Sequence, residues 1–272
     1  MCLHEQVLFI VNLFSIREEN GMRTISLGTG VYGDLTHLNN SHLVITKGAR
    51  ILLDCGPTVP LQLWRVSRDP DFVDVIYISH RHDDHCLGLR PLIRSFWDNG
   101  RIKPITIYCP KQEQEYIFTN IIGWMYKENE EHPRAHIFLL DVGSGSIEEF
   151  KGLKLSFMPT NHTKVTNLAV RIENHKHTVC YSGDGKVLQE KFYRGASLLI
   201  HETLCYKDPK EGHACIQEVI RLAEDQSVKK LMLTHLDMKF RKHELPKLIR
   251  DGAIKSDRVE IIIPKPFHQC RL

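Results

Sequence analysis

At 272 residues, with 42% hydrophobic and 25% charged residues, the chain has the composition of a globular protein with a substantial core, in one large domain or two small ones. Its formal net charge of +3 neither demands nor excludes a polyanionic partner. Eight cysteines lack paired CxxC spacing, which argues against a disulfide framework and for reduced thiols in a cytoplasmic protein, whereas sixteen histidines, several beside acids, point toward metal.

Residues 7–16 are apolar but too short to span a bilayer, and Arg17, Glu18 and Glu19 follow where a signal peptide would be cleaved. No membrane association is expected. Residues 1–21 read as an extension upstream of one hydrolase domain over 22–272, with Met22 as an alternative start. Strands are predicted at 24–27, 42–46, 50–54 and 73–79, with a helix over 59–66 and another over 87–97 after the histidine-rich stretch. A strand at 105–109, a helix at 112–126 and a strand at 135–140 follow. Further strands are expected at 153–158, 168–172, 178–182, 197–201, 230–234 and 259–263, with helices at 213–226 and 242–251. No repeat or linker interrupts this order, so one layered α/β domain fits best. Gly28, Gly30 and Gly33 match GxGxxG, but a second strand follows instead of a phosphate-binding helix, so these glycines read as letting the first loop pass close to the site.

Residues 80–85 read His-Arg-His-Asp-Asp-His. In an extended segment His80 and His82 point the same way, and Asp84 and His85 project from the following turn, so the stretch can serve two ions that share a bridging hydroxide. One motif cannot fill two coordination spheres. His162, Asp184 and His235 each stand just beyond an apolar run, where a sheet presents site residues to solvent.

With these residues in place the sequence resembles the metallo-β-lactamase superfamily, whose HxHxDH signature matches residues 80–85. The resemblance implies a four-layer αββα sandwich with two divalent ions, zinc or manganese, at its edge. It also implies that His80, His82 and His162 hold one ion, that Asp84, His85 and His235 hold the other, that Asp184 bridges, and that Asp54 supports the metal loop without binding. Within the superfamily the chain is similar to the ribonuclease Z group, through SLGTG at 26–30, HDDHCLGL at 82–89, and the stretch from LLIHET at 198–203 through Gly212 and His213 to LTHLD at 233–237. His213 lies 22 residues before His235, as that group places its catalytic histidine. The resemblance implies His213 as the general acid with Glu202 as its orienting partner, and Asp84 is expected to accept the nucleophile's proton as well as to bind metal.

The tRNA-processing members of that group carry a flexible arm that clamps tRNA. Here only 22 residues separate His162 from Asp184, filled by a hairpin through Asn174 and His175, and the acidic residues Glu128, Glu130 and Glu131 elsewhere would repel RNA. The expected function is therefore a dinuclear phosphodiesterase acting on a cyclic nucleotide or similar small phosphodiester, by in-line attack of the shared hydroxide. The alternatives are a tRNA 3′-processing endonuclease using Lys229, Lys230, Lys239, Arg241, Lys242 and His243 as its basic surface, or a lactonase, thioesterase or sulfatase on the same fold. A non-enzymatic metal sensor is the least favoured reading. Residues 58–64 and 97–101 are expected to wall the substrate pocket, and related enzymes imply a homodimer.

Overall fold

Strand-length runs that are apolar at almost every position must be covered on both faces. The computed structural model, which describes residues 21–123, 136–187 and 191–272, covers them by stacking two sheets between two helical layers. The first sheet contains β1 (Arg23–Gly28), β2 (Ser41–Ile45), β3 (Arg50–Leu53), β4 (Val75–Tyr77), β5 (Ile105–Pro110) and β6 (Ile137–Val142). The second contains β7 (Ile147–Phe150), β8 (Leu153–Thr160), β9 (Asn167–Glu173), β10 (Thr178–Tyr181), β11 (Leu198–Glu202), β12 (Lys230–Thr234) and β13 (Glu260–Ile262). The last strand, β14 (Gln269–Arg271), returns to pair with β1. Each sheet is antiparallel in one half and parallel in the other.

Parallel neighbours need crossover connections. These are α1 (Val59–Val66), the single turn α2 (Asp83–Cys86) and α3 (Leu89–Asp98) on the first sheet, and α5 (Ile216–Asp225), α6 (Met238–His243) and α7 (Leu245–Arg250) on the second; the short α4 (Gln114–Ile117) lies between β5 and β6. Three apolar clusters fill the three interfaces. Leu52 and Ile76 face α1 and α3, while Ile51, Leu53 and Val75 face the other sheet. In β11, Leu198 and Ile200 point between the sheets and Leu199 toward α5. The result is an αββα sandwich.

Several elements differ from the sequence reading for local reasons. The helix expected over 87–97 is preceded by the turn α2, because Gly88 packs directly against the carbonyl of Gly56. The segment 213–226 becomes helical only at Ile216, where Glu218 accepts from the Cys215 N–H. The helix expected over 242–251 is split at Glu244, since Pro246 in the following turn lacks an N–H. Within 112–126, a 3₁₀ turn (Lys111–Glu113), α4 and a π turn (Phe118–Ile122) replace one regular helix, and its end lies outside the described residues. Most of the expected extension over 1–21 and the acidic residues 128, 130 and 131 also lie outside them. β7 and β14 carry no apolar run of their own; each forms by pairing with a neighbour.

Strands β3, β4, β8, β10, β11 and β12 all end at one edge of the sandwich. Ligands bind outside such carboxyl ends in layered α/β proteins.

Candidate metal centre

The site is built from loops that follow those strand ends. Asp54 closes β3, residues 79–85 follow β4, His162 follows β8, Asp184 follows β10, Glu202 ends β11, and His235 follows β12. Asp54 and His235 both adopt left-handed backbone, with φ of 57° and 57°. A non-glycine residue there costs ~1–2 kcal/mol, held here by tertiary hydrogen bonds. The Asp54 N–H donates to the Tyr77 carbonyl at 2.8 Å and the His235 N–H to the Thr29 carbonyl at 2.9 Å. The first glycine-containing loop thus does run beside the site; it leads into β2 and not into a phosphate-binding helix.

Seven side chains converge. His80 Nε2 and His162 Nε2 lie 3.0 and 3.2 Å from His82 Nδ1. Asp84 Oδ2 lies 3.6 Å from His85 Nε2 and 3.4 Å from His235 Nε2. Asp184 reaches both groups: Oδ1 is 3.5 Å from His85 Nε2, and Oδ2 is 3.5 Å from His235 Nε2 and 4.0 Å from His162 Nε2. Ligands at about 2.1 Å from a tetrahedral ion stand ~3.4 Å apart, so these spacings suit divalent ions. His85 Nε2 and Asp184 Oδ1 are buried without a hydrogen-bond partner. Nitrogen and carboxylate donors stranded in this way fit divalent metal.

The far nitrogens of these imidazoles are also held. His80 Nδ1 meets Ser79 Oγ at 3.0 Å, His162 Nδ1 meets the Gly212 carbonyl at 2.7 Å, and His85 Nδ1 meets Asp54 Oδ2 at 2.6 Å. Such partners orient metal-binding histidines. Asp54 also accepts from Ser79 N–H, Ser79 Oγ and Tyr181 OH, at 2.7, 2.7 and 2.6 Å. Through these bonds it braces both Ser79 and His85, at the two ends of the histidine-rich segment.

Burial, then neighbouring imidazoles, pushes His80 well below the usual histidine range and lowers His82 and His162. Burial acts the same way on His85 and His235, but the carboxylates of Asp184 and Asp84 outweigh it, holding His85 well above that range and His235 at about 9. Asp184 answers in the opposite direction: burial would raise it, yet His235, His85 and His80 hold it well below the carboxylate range. Asp84 thus stands with the second cluster, whereas the Asp184 carboxylate faces both.

His213 sits against both clusters. Its ring is 5.0 Å from that of His162 and stacks at 6.0 Å on His235, and its Nδ1 is 3.0 Å from Glu202 Oε1. That buried oxygen also accepts from Gly185 N–H and Ala214 N–H at 3.0 and 3.1 Å. Burial opposes charge on His213, but the Glu202 hydrogen bond holds it above the usual histidine range.

The pocket walls differ from the sequence reading. A cavity of about 600 Å³ beside the site is lined by Tyr32, Arg81, His82, Asp83, Asp84 and Tyr116. None of the residues 58–64 and 97–101 lines this cavity, and three of them are held structurally: Thr58 is bonded to Asn39, Trp64 donates to Ser95 and packs on Phe96, and the buried Arg101 donates to four backbone carbonyls. Tyr32 and Tyr116 were missed because single aromatics in unlike elements leave no motif.

The basic residues considered for RNA are divided. Lys229 and Lys230 stand at the start of β12, and Lys239, Arg241, Lys242 and His243 beyond its other end. Arg241 is paired with Asp34 and Lys230 lies 3.5 Å from Glu260. The interval between His162 and Asp184 is a plain β9–β10 hairpin, closed by the Asn174 N–H to the His177 carbonyl at 3.0 Å. Among the described residues no helix is long and apolar enough to cross a membrane.

The model of the anti-Pycsar protein Apyc1 family matches residues 22–255. The anti-Pycsar protein Apyc1 of Saccharibacillus brassicae is 27% identical over 76% of this chain and 87% of its own length. The ribonuclease Z of Methanothermobacter thermautotrophicus is 25% identical over 82% of this chain and 89% of its own. Among solved structures, the metallo-β-lactamase fold protein YhfI from Bacillus subtilis superposes with a TM-score of 0.75 at 23% identity, covering 92% of this chain and 99% of that one.

Proposed function

The chain belongs to the anti-Pycsar protein Apyc1 family and is a ribonuclease Z-like, metal-dependent hydrolase of the metallo-β-lactamase superfamily, and on that premise we propose that it is a dinuclear phosphodiesterase acting on a cyclic nucleotide or similar small phosphodiester. His80, His82 and His162 would hold one ion, Asp84, His85 and His235 the second, and Asp184 would bridge. Zinc and manganese both suit this nitrogen and carboxylate set. Two bound ions supply an activated nucleophile and neutralise charge developing on the phosphoryl oxygens.

The chain's own groups do the rest. Asp84 accepts the proton released by the nucleophile. His213, held through Nδ1 by Glu202, delivers a proton from Nε2 to the leaving oxygen. The observation that carries this reading is the place of His213, packed against one histidine from each cluster. The short β9–β10 hairpin and the divided basic residues favour a small substrate over tRNA.

The test is His213→Ala in metal-loaded protein, assayed on 3′,5′-cyclic mononucleotides and on precursor tRNA. It should keep both equivalents of metal and lose roughly 10²- to 10⁴-fold in kcat. Turnover near that of the wild type would remove the general-acid assignment. Salt-sensitive cleavage of tRNA without cyclic-nucleotide turnover would move the function to the endonuclease.

A further inference from the structure

The cavity beside the metal centre has walls of two kinds. His82, Asp83 and Asp84 line the side toward the clusters, and Tyr32, Arg81 and Tyr116 line the rest. Tyr32 is 63% exposed, on the loop after β1. The Arg81 guanidinium lies 5.1 Å from the centroid of the Tyr116 ring, and its Nε is 3.1 Å from Glu113 Oε2. Glu113 is itself only 3% exposed and accepts the Thr166 N–H at 2.7 Å, which ties this wall to the loop bearing His162. Arg81 is therefore a placed side chain, with donors beyond Nε still available.

We propose that Tyr32, Arg81 and Tyr116 form a subsite for the nucleobase of a cyclic mononucleotide, an inference that rests on the phosphodiesterase reading above. A phosphodiester held at Asp84 and His82 must project its remaining atoms away from the clusters, and this cavity adjoins them there. Its volume lies within the range of small-ligand sites. The wall offers aromatic faces and a stacked guanidinium, and flat heteroaromatic rings bind such surfaces by stacking, with ring carbonyls and nitrogens as acceptors for arginine. Arg81 stands between two proposed ligands in sequence, yet its contacts are with Glu113 and Tyr116, on α4 and the turn before it. Glu113 acts as a positioning residue for it.

The experiment is steady-state kinetics of the metal-loaded full chain on 3′,5′-cyclic AMP and on the base-free methyl riboside 3′,5′-cyclic phosphate. Wild-type KM should be at least tenfold lower for the nucleotide. Tyr32→Ala and Tyr116→Ala should each raise that KM at least fivefold, leave kcat within threefold, and leave kinetics on the base-free compound unchanged. Tyr116→Phe should behave as wild type. Equal wild-type KM values for the two compounds, or KM for the nucleotide within twofold of wild type in both alanine variants, would overturn the subsite and leave the function standing. So would alanine variants that lose kcat equally on both compounds, since that marks damage to the metal site. A wild-type protein that hydrolyses no cyclic mononucleotide would remove the function and the subsite together.

Discussion

Four donors meet one carboxylate at Asp54: Ser79 N–H, Ser79 Oγ, Tyr181 OH and His85 Nδ1. Tyr181 also accepts from Asn40 Nδ2 at 3.3 Å, and Asn40 Oδ1 meets His42 Nε2 at 3.0 Å, so a buried chain runs from the core to a proposed ligand. Asp54→Asn would set an amide NH₂ against groups that already donate. Leaving buried donors unmatched costs ~1–3 kcal/mol, more where a charged acceptor is lost. The expected outcome is a loss of about 3 kcal/mol in urea unfolding, with divalent-ion affinity lowered roughly 10- to 100-fold in a metal titration because His85 loses its orienting partner. Unchanged metal affinity would separate Asp54 from the centre.

At the scale of elements, the turn α2 and helix α3 meet the loop after β3 backbone to backbone. A β-carbon on Gly56 would fall inside the carbonyl of Asp84, and one on Gly88 inside the carbonyl of Gly56. The Gly88 N–H donates to the Cys55 carbonyl at 2.8 Å and the Cys55 N–H to the His85 carbonyl at 2.7 Å. This contact holds Asp84 and His85 in place. Gly56→Ala should cost at least about 2 kcal/mol, because backbone on both sides has nowhere to move, and it should reduce bound metal in elemental analysis. Gly88→Ala strains the same contact, so the double variant should cost less than the sum of the two. Strict additivity in thermal unfolding would mean that the two glycines act separately.

For the molecule as a whole, the sandwich buries a histidine that metal does not explain. His42, on β2, is fully buried, with Nδ1 3.1 Å from Ser26 Oγ and its ring 5.7 Å from that of Tyr181. Burial, and secondarily His268, pushes it down to about 3 from an ordinary value of 6.5. The unfolded chain takes up a proton below pH 6.5 that the folded chain refuses until about pH 3. The stability His42 lends is therefore complete above pH 6.5 and lost as pH falls toward 3, with a slope of up to about 1.4 kcal/mol per pH unit. His42→Gln keeps polar groups at this place and removes the titration. The difference in unfolding free energy between wild type and His42→Gln should move in favour of the variant by that slope between pH 6 and 4. A difference independent of pH would show that His42 is not held neutral.

Much of this protein was readable from its residues. The apolar runs of β3, β11 and β12 fixed their strands because a two-sided burial leaves no other choice, and α1 appeared with its expected bounds. The six-residue motif, His162, Asp184, Glu202, His213 and His235 were legible because residues that share one chemistry leave a marked pattern of type and spacing. The structure brings them together at one sheet edge. Other features carry no such mark. β7 forms only as the edge of a hairpin with β8 and β14 only against β1, far along the chain; the helix at 242–251 is split by one proline, and Arg101, expected at the pocket, is instead buried among backbone carbonyls. The walls around the site, Tyr32, Arg81 and Tyr116, come from three separate elements. The sequence alone determined which residues are candidates for the site and the layered α/β class, since each depends on local pattern and on burial along one run. Only the tertiary structure decided what faces the centre across the cavity, because that depends on which loops the packed layers bring side by side.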